Sequence, residues 1–195
     1  MYGESSYIVM MGGMHIEMDS LKMLGHWLAN SGWDSALVQV NITRGRADAV
    51  LKASQITGSR YTHQVSACAL YVLQKKAYNA SMADDSQPEH FATWARKKCE
   101  AHSQFHFWST ALELELLVLE LVRATRIGNF SLYVQVLSKL VPWMFILDLV
   151  NYSCQRSSHI RDLVNLKETH PSCIPNFSKE NLLFKNPSMC SLKSC

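Results

Sequence analysis

The sequence predicts a mainly α protein, and three observations carry that expectation. Apolar residues recur at three- and four-residue steps over most of the chain. Gly, Asn and Pro fall where such stretches would stop or restart. Alternation of the kind that strands need is confined to two short runs near the N-terminus. The pattern reads as a helical bundle-like array with one or two short N-terminal strands.

Taken in chain order, Tyr7 to Met11 reads as a short buried strand that Gly12 and Gly13 end. Met14, Met18, Leu21, Gly25 and Leu28 form a helix stripe that Gly32 closes, with His15, Glu17 and Asp19 at its opening. Ala36, Val38 and Val40 alternate with Leu37 and Gln39, which predicts a second strand, and Arg44-Gly45-Arg46 reads as a loop. From Arg60 to about Ala80 the spacing is helical, with Val65, Cys68, Ala69, Val72 and Leu73 facing inward. Ser81 to Pro88 is an acidic loop, and Pro88 suits the first turn of a helix that runs through about Glu100. A long helix is expected from about Phe105 to Arg126, stopped by Gly128. Asn129 then caps a helix through Leu140, and Pro142 kinks or restarts the chain. Residues 1–170 form the expected single helical domain, incomplete on its N-terminal side. Residues 171–195 form a loosely ordered polar tail.

Composition narrows the function classes. The chain has 195 residues, 48% of them hydrophobic and 18% charged, which is a globular composition. A net charge of +3 permits nucleic-acid contact without announcing it. Acids interrupt every apolar stretch well before the roughly 18–20 residues of a membrane span. The start Met-Tyr-Gly-Glu-Ser-Ser lacks the basic and apolar regions of a secretory signal. Six scattered cysteines, at 68, 99, 154, 173, 190 and 195, form no CxxC pair and fit a reducing nuclear or cytoplasmic setting. No phosphate-cradling glycine loop, dinucleotide fingerprint, nucleophile elbow or HExxH motif is present, so the commonest nucleotide, redox and hydrolase classes lose ground.

Several groups could carry chemistry. His15 and Asp19, four apart, can face each other on a helix, either to orient the imidazole or simply to cap the helix start. Cys99, His102 and His106 are zinc-ligand types, but a helix boundary between Glu100 and Phe105 breaks their common face and no fourth ligand is specified. Glu113 and Glu120 lie within about 20° of each other on a solvated face of the long helix, whereas Glu115 lies about 200° from Glu113. There it falls among Leu112, Leu116, Val118, Leu119 and Val122. A carboxylate on a buried face has to be paired, protonated or functional. Glu115 is therefore the best single candidate for a catalytic or metal-binding acid. Arg44, Arg46, Lys52, Arg60, Lys75, Lys76 and Arg96-Lys97-Lys98 can face phosphates or simply solvent.

The segments GGMHIEMDSLKMLGHWLANSGW, SRYTHQVSACALYVLQKKAY, FWSTALELELLVLELVRATRIGNFSLYVQVL, PWMFILDLVNYS and HIRDLVNLKETHP resemble the C-terminal half of an uncharacterised, multi-copy animal protein family that looks transposase-derived. The likeness covers roughly residues 7 to 185. It implies a partial ribonuclease H-like fold with a helical insertion. It singles out His15, Glu17, His63 and Glu115, then Asp148, Asn151 and Tyr152, then His159 and Asp162. Glu115 and Asp148 would be remnant catalytic acids. His15, Glu17, Asn151, Tyr152, Arg44, Arg46 and Lys97 would be binding residues. Two departures speak against activity. The family element Asp-His-x-Asn-Tyr-Ala-Arg-Trp reads here Asp148-Leu-Val-Asn-Tyr-Ser-Cys-Gln155, and the upstream half with the first catalytic strand and its aspartate is missing. Two-metal phosphoryl transfer needs acids from several elements, so the expected function is that of an inactive transposase-derived fragment retaining weak DNA binding. No cofactor is expected, and a divalent metal would bind only if upstream sequence completed the site. Self-association through an unpaired strand is a further expectation. The alternative is a helical protein-interaction module with no nucleic-acid role, its tryptophans serving packing or a partner.

Overall fold

A computed structural model describes residues 12–42, 44–83 and 89–169. These residues form helices α1 (Gly13–Leu28), α2 (Trp33–Gln39), α3 (Arg44–Leu51), α4 (Ile56–Ala83), α5 (Phe91–Ala101), α6 (Ser103–Arg126), α7 (Phe130–Ile146) and α8 (Val150–Thr169). The chain is mainly helical, and there is no strand among the described residues. The expected strand Tyr7–Met11, the polar tail 171–195 and most of the Ser81–Pro88 loop lie outside them.

The helices end where local chemistry supplies a stop. After α6 the Asn129 amide donates to the Ala124 carbonyl at 2.9 Å and the Gly128 amide to Thr125 at 3.3 Å. Gly128 takes φ 65°, so this is the left-handed closure that glycine favours. Asn129 then caps α7, its side chain accepting from the Leu132 amide at 3.0 Å. The same closure ends α7. Leu149 N–H reaches Met144 O at 2.8 Å and Asp148 N–H reaches Phe145 O at 3.1 Å, with Asp148 at φ 56°.

Contacts divide the described chain into two compact units: residues up to Ser20 with those from Glu120 onward, and residues Leu21–Leu119. In the first, α7 turns Phe130, Tyr133, Val136, Leu137, Leu140, Val141 and Met144 inward and packs against α8. From α8 the buried side chains are Arg156, His159, Leu163 and Leu166, a three- and four-residue stripe. Each fully buried Leu or Met here contributes roughly 1.5–3 kcal/mol relative to exposure.

In the second unit Leu28, Trp33, Val50 and Ala111 form the centre, with Trp27, Leu37, Leu51, Leu70 and Trp108 packed on them. Gly25 sits so close to α3 that a Cβ would fall 1.8 Å from the Leu51 carbonyl oxygen, so only glycine fits. A separate aromatic group joins α4, α5 and α6. Trp94 meets Tyr78 at 5.3 Å and Phe105 at 5.4 Å between ring centroids, and its indole N–H donates to Ser81 Oγ at 3.1 Å.

Several sequence expectations are corrected. Ala36–Val40 is not a strand: α2 covers Trp33–Gln39, and only Trp33 of that helix is buried. Val38 and Val40 are exposed, so their alternation marks no sheet face. Arg44-Gly45-Arg46 opens α3 and is not a loop. Pro142 lies inside α7 without ending it. Its missing N–H would have bonded Ser138, and both residues are exposed, where water can serve that carbonyl. The first turn of α1 contains no acid, so Glu17 and Asp19 do not cap the helix start. The largest correction concerns α4. Its buried residues are Ser59, Thr62, His63 and Ala67, while Val65, Cys68, Ala69, Val72 and Leu73 face solvent.

Candidate functional site

Two buried polar clusters stand out, one in each unit. In the Leu21–Leu119 unit, α4 contributes His63 and α6 contributes Glu115, and both side chains are fully buried. His63 Nδ1 lies 2.9 Å from Glu115 Oε1. The Trp33 ring stacks on the imidazole at 5.2 Å and 14°, and its indole N–H donates to Ser66 Oγ at 2.8 Å. Gln74 Nε2 donates to Ser109 Oγ at 3.2 Å, tying α4 to α6 farther along. Nothing among the described residues bonds His63 Nε2 or Glu115 Oε2. Among the described residues each member of the pair therefore depends on the other for its side-chain hydrogen bond.

This arrangement answers the burial question that the sequence raised for Glu115: the carboxylate is paired with an imidazole. No group of three or more His, Cys, Asp or Glu side chains among the described residues is placed to hold a metal ion. Cys99 and His102 are split by the end of α5 at Ala101, and His106 belongs to α6.

In the other unit α1 and α8 meet through a buried ion pair. Arg156 is fully buried, its Nη2 donates to Asp19 Oδ2, and the same nitrogen reaches the His15 carbonyl at 3.3 Å. A charge buried to that degree survives only with such a partner. One helical turn along α8, His159 Nε2 lies 3.3 Å from the Tyr133 hydroxyl. Burial lowers the His159 pKa to about 4, Arg156 pushes it the same way, and Asp162 opposes. Burial raises the Tyr133 pKa, and the nearby guanidinium offsets part of that rise. Both groups are therefore neutral at pH 7.

The remaining predicted residues are spread over both units. His15 is exposed and enters the Arg156 cluster through its backbone carbonyl alone. Glu17 is partly exposed on α1. Asp148 is exposed and occupies the left-handed position that closes α7, a conformation that Asp tolerates better than most residues. Asn151 and Tyr152 fall in the first turn of α8, and Arg44 begins α3. Arg46 is exposed on α3. Lys97 on α5 is engaged by Glu89 at 2.6 Å, and its neighbour Arg96 lies 3.5 Å from Glu100. Asp162, on the exposed side of α8, pairs with Arg161 at 3.1 Å.

Sequence reasoning missed Trp33 and Arg156. Arg156 had a readable signal: it shares the spacing of His159, Leu163 and Leu166, so an arginine stands on an inward stripe. No family model matches the chain, and no curated protein or solved structure does. Among the described residues no helix is long and apolar enough to cross a membrane.

Proposed function

We propose that this chain is a helical protein-interaction module of transposase descent that performs no phosphoryl transfer. The observation that carries the interaction reading is the outward apolar face of α4. Tyr61 (68% exposed), Val65 and Val72 share one exposed face of the helix, and Tyr71 and Leu73 (62%) lie open to solvent on its two flanks. A run of large apolar side chains on one exposed face is the mark of a surface that another molecule covers. The ancestry rests on the resembling segments alone, and so does a ribonuclease H-like origin for them.

The chemistry of the acids supports the non-catalytic part. Glu115 has its oxygen committed to His63 at 2.9 Å behind a stacked indole. Asp148 serves a helix end. Among the described residues neither has the company of acids that a two-metal centre requires. The predicted phosphate-facing cations are weakened as a DNA surface because Lys97 and Arg96 have carboxylates beside them.

Gel filtration of a cell extract, with and without nuclease, tests this reading. The expected result is a complex larger than the monomer whose size nuclease does not change. Collapse of that complex on nuclease treatment would contradict the reading, and so would cleavage of duplex DNA by the purified chain in magnesium or manganese that Glu115→Gln abolishes.

A further inference from the structure

We infer that the outward face of α4 binds an acidic amphipathic helix, which deepens the interaction reading above and rests on it. Tyr61, Val65, Cys68 and Val72 stand at four-, three- and four-residue steps, the spacing of a seam for a partner helix. All four are exposed. The inward face of the same helix is held by polar contacts, His63 to Glu115 and Gln74 to Ser109, so the apolar face is not needed to attach α4 to its unit.

Charge selects the occupant. The whole of Ile56–Ala83 contains no Asp or Glu, while Lys75 and Lys76 flank the C-terminal end of the seam. Lys75 lies over the Tyr78 ring at 5.1 Å, and both lysines are exposed. A second copy of α4 is a poor match. Packed parallel, lysines would meet lysines; packed antiparallel, Lys75 and Lys76 would face the Tyr61 end, which offers no carboxylate, so neither arrangement satisfies them. A DNA backbone is a poor match too, because the two lysines sit at one end and the rest of the face is apolar. A helix with leucines on one stripe and glutamates beside it satisfies both the seam and the cations.

The test titrates the full chain with three fluorescent probes: a synthetic heptad helix with leucine at a and d and glutamate at e and g, the same helix with lysine for glutamate, and a duplex DNA. The glutamate helix is expected to bind at least about tenfold tighter than the lysine helix at low salt, with the margin shrinking as salt rises. Val65→Asp should weaken it about tenfold or more, and the double variant Lys75→Glu, Lys76→Glu should reverse the preference. Circular dichroism should show the helical content of both variants unchanged, since the positions are exposed. Absence of binding by the glutamate helix, equal binding of the two helices, or indifference to Val65→Asp would overturn the inference. So would a homodimer in sedimentation that Val65→Asp dissolves, which would put a second copy on the face. Duplex binding that falls steeply with salt would strike instead at the interaction reading itself.

Discussion

Helices α4 and α7 both carry an apolar stripe, and they turn it in opposite directions. α7 turns Phe130, Val136, Leu137, Leu140 and Met144 into its unit. α4 turns Ser59, Thr62, His63 and Ala67 inward and leaves Tyr61, Val65, Val72 and Leu73 outside. The two helices are attached by different forces. α7 is held by non-directional apolar burial, which tolerates repacking. α4 adds directed polar contacts, His63 to Glu115 and Gln74 to Ser109, to the modest apolar packing of Ala67 and Leu70, and such contacts fix its rotation and fail when one partner is removed. An apolar stripe thus tells that a face will be covered, without telling by what.

That contrast can be broken from either side. The largest effect is expected at the polar anchor. Glu115→Ala leaves His63 buried with no partner at either ring nitrogen, and loss of one member of such a pair costs about 3–5 kcal/mol. Urea unfolding measures it. The double variant His63→Leu, Glu115→Leu should lie closer to the parent than Glu115→Ala does, because no unpaired polar group remains. Next comes the apolar anchor. Leu140→Ala in α7 should cost about 2–5 kcal/mol, with no rescue from any second polar change.

A smaller effect is set by pH. His159 is 5% exposed and its pKa is lowered to about 4, against about 6.5 in an unfolded chain. Between those values the unfolded chain binds a proton that the folded chain does not. Stability therefore rises with pH across that window. It is complete above about pH 6.5 and is lost as pH falls toward 4, by on the order of 3 kcal/mol in all. Unfolding curves at pH 4.5 and 7 should show the loss, and His159→Asn should flatten it.

Much of the helical layout was readable from residues. Gly128 and Asn129 mark the α6–α7 joint by conformation and capping, and both act there. The stripe Met18 to Leu28 lies within α1. Ala36–Val40 was misread because a seven-residue helix with one buried side chain has no period to detect. That α7 runs past Leu140 and Pro142 to Ile146 was not readable, because the effect of the proline depends on whether Ser138 faces water, a tertiary fact. Glu115 could be placed on a buried face from spacing alone. Its partner His63 is 52 positions away in sequence, and no local pattern links them. The outward turn of α4 was illegible for the same reason: the polar contacts that fix its rotation are all long-range.

The central claim is that the apolar face of α4 serves a partner and contributes nothing to the fold. Urea unfolding of the fourfold variant Tyr61→Gln, Val65→Gln, Val72→Gln, Leu73→Gln tests it most directly. All four positions are exposed, so the expected change is within about 0.5 kcal/mol of the parent per site, with an unaltered dependence on urea and loss of binding to the glutamate helix. A collapse of stability by several kcal/mol, comparable to that of Leu140→Ala, would show that this face belongs to the chain's own core and would contradict the account.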